Sequence, residues 1–300
     1  MPVAIFDMDG VLYRGSVVMP HARETVDRLR GAGWQVFFAT NNSTASRADY
    51  VKRLTGLALG SDEEHVITSA YATAHYLARL DPKPRDVFVV GADGLRAEIA
   101  AVGISARPAG ALPGAHPPAN AAADGVSAAA MREYLTHLDL PPIPDAVVVG
   151  LDLHLTYARL AEAQRCIIGG ARFVASNKDR AYPVEGRLLP GAGSIVQALE
   201  VATGQQAVCI GKPEPFLFEE AIRRAGAGPT EPADPGPVVV IGDAPEYDIV
   251  AAHKVGATGV LITTGLTDRA AAAAATGDAV PDHVIGSLDE LFRLPEFVAA

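Results

Sequence analysis

The residues of this chain best suited to chemistry stand in four short clusters. The first is Asp7-Met8-Asp9-Gly10. Two carboxylates beside one reaction centre can divide the labour, one attacking while the other gives and takes a proton. Gly10 permits the chain to curl so that Asp9 turns back toward the space Asp7 faces. The second, Thr40-Asn41-Asn42-Ser43, offers a hydroxyl and backbone N–H groups, a cradle for phosphate oxygens. The third, Gly211-Lys212-Pro213, sets an ammonium ahead of a helix start, where an anion would be held. The fourth runs from Gly242-Asp243-Ala244 to Pro245-Glu246-Tyr247-Asp248. If Asp243 and Asp248 converge with Asp7, the three make a hard, oxygen-lined site suited to Mg²⁺. Taken singly, each cluster also reads as something ordinary: an acidic turn, a capping sequence, a solvated lysine, an acidic helix start.

Their weight comes from a shared position. Each follows a short apolar run that reads as a strand: Pro2–Met8, Trp34–Thr40, Ala207–Ile210 and Val238–Ile241. Further strands are expected at Val87–Val90, Ala146–Val149, Arg172–Ala175 and Gly259–Thr263. Helical periods lie between them, at His21–Ala32, Ser46–Leu54, Ser69–Leu80, Leu95–Val102, Tyr157–Ile168, Ser194–Thr203, Phe216–Ala225 and Tyr247–Val255. Such alternation predicts an α/β fold with a mostly parallel sheet covered on both faces. In an open parallel sheet, functional groups gather at the carboxyl ends of the strands. Two stretches break the pattern. Ala106–Ser127, rich in Ala, Pro and Gly, is expected to be an irregular insertion, and Gly228–Pro237 a Pro-rich connector.

The bulk properties narrow the function. Three hundred residues, about half apolar and a fifth charged, suffice for one large or two medium globular domains. A net charge of −10 disfavours nucleic acid and anionic membranes as partners. No stretch approaches a membrane span, and the acids at 7 and 9 interrupt the one N-terminal run that could imitate a signal peptide. The two cysteines, Cys166 and Cys209, lie in apolar stretches and read as buried thiols in a reducing, cytoplasmic setting. The eight histidines form no spaced metal motif.

The four clusters, in this order, resemble the four motifs of the haloacid dehalogenase (HAD) superfamily of phosphatases. The resemblance covers about Pro2 to Leu294, with 106–127 the main unmatched part. The long gap between the second and third clusters, with Thr68-Ser69-Ala70 and Gly211-Lys212-Pro213, resembles the class IIA, NagD-like branch. That branch includes phosphatases of nitrophenyl phosphate, phosphoglycolate, glycerol phosphate, nucleotides and pyridoxal phosphate. The resemblance implies a Rossmann-like, doubly wound core (1–80 and 179–300) and an inserted α/β cap over Asp81–Lys178.

It also implies roles. Asp7 is the nucleophile that forms an aspartyl-phosphate, and Asp9 the general acid and base. Thr40 and the amide of Asn41 bind phosphoryl oxygens, and Lys212 offsets negative charge. Mg²⁺ is held by Asp7, the carbonyl of Asp9, and Asp243, with Asp248 in the outer shell. Asp152 and His154, in a cap loop, help select the leaving group. The substrate is then a small phosphorylated metabolite (a phosphoglycolate, glycerol phosphate, nucleotide, pyridoxal phosphate or sugar phosphate), and the oligomer a homodimer paired through the cap. A carboxylic acid at position 9 separates phosphatase from dehalogenase, since a halide needs no proton. Tyr247 departs from the Thr many relatives carry. Three alternatives stand beside this reading. A receiver-type phospho-acceptor would be shorter and uncapped, a phosphomutase usually carries an earlier cap, and a silent metabolite-binding relative would keep only the fold.

Overall fold

The computed structural model describes residues 1–108, 142–184, 187–226 and 236–298. In chain order the strands and helices of the first third are β1 (Val3–Asp7), β2 (Tyr13–Arg14), β3 (Val17–Val18), α1 (Ala22–Gly31), β4 (Gln35–Thr40), α2 (Arg47–Gly56), β5 (Val66–Thr68) and α3 (Ser69–Ala78). The middle holds β6 (Asp86–Val90), α4 (Asp93–Ala101), β7 (Ser105–Pro108), β8 (Ala146–Val149), α5 (Tyr157–Ile168), β9 (Arg172–Ala175), β10 (Ala181–Val184), β11 (Arg187–Pro190), α6 (Ala192–Thr203) and β12 (Val208–Cys209). The last third holds α7 (Phe216–Ala225), β13 (Val238–Gly242), α8 (Val250–Lys254), β14 (Thr258–Ile262), α9 (Arg269–Ala273), β15 (His283–Ile285) and α10 (Pro295–Val298).

Two parallel sheets result. The first has the order β15-β14-β13-β1-β4-β5. Its central strand β1 is buried along its whole length, as the unbroken apolar run requires. The chain leaves β1 toward β4 on one side and returns to β13 on the other, so a crevice opens at the carboxyl ends of these strands. The second sheet has the order β12-β9-β8-β6-β7, also parallel. Together these are the doubly wound core and inserted α/β unit that the alternation and the resemblance led us to expect.

Side chains alternate between the faces of each strand, which divides the core. Val3 and Ile5 face one way and join α3, α4, α7 and the Val87, Val89, Ala146 and Val148 face of the second sheet in one apolar cluster. Ala4 and Phe6 face α1, α2 and the C-terminal segment. Phe88, Val90, Val147 and Val149 pack on α5 and α6. The insert therefore shares a hydrophobic layer with the first sheet.

Three local expectations change. The strand before Lys212 was assigned to the sheet that carries the other clusters, but β12 pairs with β9 at the edge of the second sheet. The chain rejoins the first sheet only at β13, because α6 buries Ile195, Val196 and Leu199 against the second. Residues 106–108 are not irregular: they pair with β6 as the edge strand β7, a position where proline is tolerated. The rest of the 106–127 stretch lies outside the described residues, as does most of the 228–237 connector. The helix expected over Tyr247–Val255 opens instead with a π-helical turn at Pro245–Ile249. Asp248 folds back to accept from the N–H groups of Asp243 (3.2 Å) and Ala244 (3.1 Å), which widens that turn. Among the described residues, no helix is long and apolar enough to cross a membrane.

Glu220 fastens α7 to α3. It is buried, and it accepts from the Tyr71 hydroxyl (3.0 Å), from Arg223 (2.5 and 3.1 Å) and from Arg79. Burial alone would raise its carboxyl; the hydrogen bonds and charges of Arg223 and Arg79 outweigh that and hold it at about 2, below its ordinary 4.5. A carboxyl depressed in the folded state stabilises above its unfolded value and loses that contribution as pH falls through the folded one. Glu220→Gln should therefore cost ~1–3 kcal/mol at pH 7, discounted from a fully buried pair because two of the arginines are half exposed. Urea midpoints should show the gap between the two proteins closing from pH 4.5 toward pH 2. A constant gap would place the stabilisation elsewhere.

Candidate active site

Asp7 ends β1 at the centre of the crevice, buried, with Asp9 two residues on and exposed at its mouth. Gly10, at φ 83°, makes the turn between them and the hairpin β2–β3; its N–H donates to Tyr13 O at 2.9 Å. No other residue fits at position 10. A Cβ there would stand 2.3 Å from Asp243 Oδ2.

Lys212 reaches into the same space from the loop after β12. Its Nζ lies 2.6 Å from Asp7 Oδ1 and 2.6 Å from Asp248 Oδ1, with the whole side chain buried. Burial would lower this ammonium, but Asp248 and Asp7 overcome it and raise it, so it is a fixed positive charge. Asp243 follows β13 and accepts from Leu266 N–H at 2.7 Å. One oxygen from each of Asp7, Asp243 and Asp248 lies within 4.8 Å of the others.

These charges do not balance. Burial, together with Asp248 and Asp243, pushes Asp7 well above the usual carboxylate value despite Lys212. Burial and Asp248 push Asp243 up to about 7. A divalent cation would relieve both, and the donors are the hard oxygens such a cation takes. Glycines keep the space open. A Cβ at Gly265 would fall 1.8 Å from Asp243 Oδ2, and one at Gly242 would fall 2.2 Å from Asp248 Cβ. Both oxygens of Asp248 are already engaged, one by Lys212 and the other by two backbone N–H groups. Asp7 accepts through Oδ1 from Lys212 and Asp243 through Oδ2 from Leu266 N–H, so each has its other oxygen outside these bonds.

Asp9 differs from Asp7. Crowding by protein raises its carboxyl, with Arg53 and Lys212 pulling the other way. Arg53 is held over the Tyr13 ring and donates to Gly15 O at 2.7 Å.

Thr40 and Asn41 end β4 beside Asp7, which is where the sequence sets them. Thr40 Oγ1 accepts from Asn42 N–H at 3.2 Å. The Asn41 side chain is engaged within the protein: its Oδ1 accepts from Lys212 N–H (2.7 Å), and its Nδ2 donates to Lys212 O (3.0 Å) and to Asp179 Oδ1 (2.7 Å). Only its main chain is placed as the phosphate cradle requires.

Asp152 and His154 are not brought into this cluster. Asp152 is buried, and both its oxygens accept from Arg159 Nη1, at 3.0 and 2.9 Å, while Oδ1 also accepts from His154 N–H. It shapes the 150–156 loop from within. His154 is exposed at that loop's surface.

The residues that sequence reasoning missed are Ser176, Asn177 and Asp179. They follow β9, so Ser176-Asn177-Lys178-Asp179 is a fifth polar cluster at a strand end, the same signal as the other four. Asn177 Nδ2 donates to Asn41 O, and Ser176 Oγ to Ser43 Oγ at 3.0 Å.

Comparison with known proteins agrees with this geometry. A family model described as haloacid dehalogenase-like hydrolase matches residues 4–105, and a second HAD-like hydrolase model matches 209–291. Human chronophin is 34% identical, covering 96% of this chain and 90% of its own length. The 5'-nucleotidase YutF of Bacillus subtilis is 33% identical, covering 95% of each. Among solved structures, the magnesium complex of glycerol phosphate phosphatase from Mycobacterium tuberculosis superposes with a TM-score of 0.76. It is 30% identical and aligned over 96% of this chain and 75% of that one. The chain belongs to the haloacid dehalogenase-like hydrolases, and within them to the phosphatases.

Proposed function

We propose that this phosphatase is a magnesium-dependent phosphomonoester hydrolase of small phosphorylated metabolites, with Asp7 as nucleophile and Asp9 as general acid and base. The observation that carries it is the Lys212 ammonium 2.6 Å from Asp7, at the end of β1, with Asp9 two residues on at the open side. A magnesium ion held by Asp7, the Asp9 carbonyl and Asp243 would supply positive charge to the phosphoryl oxygens and keep Asp7 ionised.

The chain's own residues do the rest. An Asp7 oxygen attacks phosphorus as the bond to the ester oxygen breaks. Asp9, its carboxyl raised and so able to carry a proton, gives that proton to the departing oxygen. As a carboxylate it then takes a proton from water, whose oxygen attacks phosphorus. The bond to Asp7 breaks, orthophosphate leaves, and both acids return to their starting forms. Lys212 holds Asp7 in place and offsets charge throughout, and Thr40 with the Asn41 amide would bind the transferred oxygens.

The relatives act, by their names, on a nucleotide and on glycerol phosphate. A small phosphate ester is the common element, and phosphoglycolate, pyridoxal phosphate and sugar phosphates complete the panel to be tried. We take the insert, as the strand order suggests, to run from 81 to 209 rather than to 178. Pairing of two copies through it is the expected oligomer. The two cysteines, both free, suit the cytoplasm.

Hydrolysis of nitrophenyl phosphate should require a divalent cation and vanish in Asp7→Asn with the fold kept by circular dichroism. Asp9→Asn should lose about 10²–10⁴-fold on alkyl phosphates but much less on nitrophenyl phosphate, whose leaving group needs less help from an acid. Equal losses on both would remove Asp9 from the proton transfer. His154→Ala should reorder kcat/KM across the metabolite panel while nitrophenyl phosphate turnover changes less than about threefold. An unchanged order would take His154 out of substrate selection.

A further inference from the structure

The segment after β9, Ser176–Asp179, runs directly along the loop that follows β4. Three of its four residues bond that loop in turn: Ser176 to Ser43, Asn177 to the carbonyl of Asn41, and Asp179 to the side chain of Asn41. The fourth, Lys178, turns away to Glu200 at 2.7 Å. Gly211, which precedes Lys212, fits only because it has no side chain. A Cβ there would lie 2.8 Å from Asn177 Cβ, from Asn41 Oδ1 and from Ser176 O. The 176–179 segment, the loop after β4 and the lysine loop are thus in mutual contact.

Asn41 is the joint. Its amide makes a two-point pairing with the peptide of Lys212, accepting the N–H and donating to the carbonyl. That pairing sets where the Lys212 backbone starts, and hence where Nζ arrives between Asp7 and Asp248. An amide can occupy the same space flipped by half a turn. Flipped, Asn41 would present its NH₂ to the Lys212 N–H and its oxygen to both the Lys212 carbonyl and the Asp179 carboxylate, three repulsive contacts. Asp179 therefore reinforces, from outside the Lys212 loop, the one orientation in which Asn41 pairs with Lys212. The second donor to Asn41, Ser69 Oγ at 2.5 Å, holds the main-chain carbonyl and has no say in the flip.

We propose that Asp179 is a positioning residue for the transfer site: by helping to fix the Asn41 side-chain amide it registers the Lys212 loop, so the catalytic centre is complete only with the 176–179 segment docked on the loop after β4. This rests on the phosphatase reading above, in which Lys212 serves Asp7. Asp179 touches neither the substrate nor the reacting atoms in that reading. It acts through Asn41, and an uncharged oxygen at the same place would serve nearly as well.

The test is a set of variants on the full chain, assayed with nitrophenyl phosphate and Mg²⁺. Asp179→Ala should lower kcat by about 10–100-fold while KM moves less than about threefold, the mark of a misplaced group that acts in the transition state. Asp179→Asn keeps an oxygen for Asn41 and should restore kcat to within about threefold of the parent. Asp179→Ser is polar but one bond too short to reach; it should fall with the Ala variant and carries the test if the latter does not fold. In an Asn41→Ala background, Asp179→Ala should change kcat less than about twofold, because the partner it acts on is gone. Deuterium exchange supplies a readout that needs no turnover: in Asp179→Ala and Asp179→Ser, the amides of Gly211 and Lys212 should exchange at least about tenfold faster. Parental kcat with parental exchange in these variants would overturn the proposal, as would a full additive loss in the Asn41→Ala background. If the parent enzyme itself shows no hydrolysis, the functional reading fails. The exchange arm then still decides whether Asp179 registers the Lys212 loop.

Discussion

One buried lysine carries the design of this site. Lys212 Nζ stands between Asp7 and Asp248, with Asp243 beside them, and the cluster has two more negative charges than positive ones when all its members are ionised. Such an arrangement is costly in a protein interior unless something completes it. Two completions are at hand, a divalent cation and a dianionic phosphate that brings its own demand for positive charge. An imbalance of this sign among hard oxygen donors suits a divalent cation.

The fold keeps that imbalance from collapsing into a tighter, useless ion cluster. Asp7 is carried by the central strand, whose two neighbours fix it from either side. Asp248 is tethered by the N–H groups of the widened turn after β13 and by Lys212. Asp243 is tethered by Leu266 N–H. Gly10, Gly242 and Gly265 let the backbone come close to these carboxylates, because a Cβ at any of them would clash with Asp243 or Asp248. The acids therefore stay near one another without touching, which a flexible cluster would not do.

How far all this could be read beforehand follows from what each part depends on. Asp7, Asp9, Asp243 and the cradle were legible because each ends an apolar run, and an unbroken run of that length says both strand and burial. The parallel, doubly wound sheet was legible for the same reason. Strand β12 was not: Val208 and Cys209 are apolar enough for either sheet, and only the packing of α6 decides between them. Asp152 looked like a site residue because it follows a strand, but its fate is set by Arg159, one helical turn into α5. The main-chain amide of Asn41 was the expected phosphate ligand; what the pattern did not show is that its side-chain amide is committed to Lys212 and Asp179, partners more than a hundred residues away. Local pattern gives the strand ends; which ends meet is a tertiary fact.

Contacts between the two units add a constraint on motion. From α4, Gly94 N–H bonds Thr44 O at 3.3 Å, and Glu98 accepts from Arg47 N–H at 3.0 Å. The contact is close enough that a Cβ on Gly94 would lie 2.4 Å from the Ala45 carbonyl carbon. From the end of β9, Ser176 meets Ser43. Both sets of contacts therefore land on one stretch, 43–47, which leads from β4 into α2. Beneath them a single apolar layer joins the sheets, so a large separation would expose buried Val87, Val89 and Val148 to water at a cost of about 1.5–3 kcal/mol for each valine. The loop contacts and the apolar layer thus oppose separation of the two sheets together, one through hydrogen bonds and the other through burial.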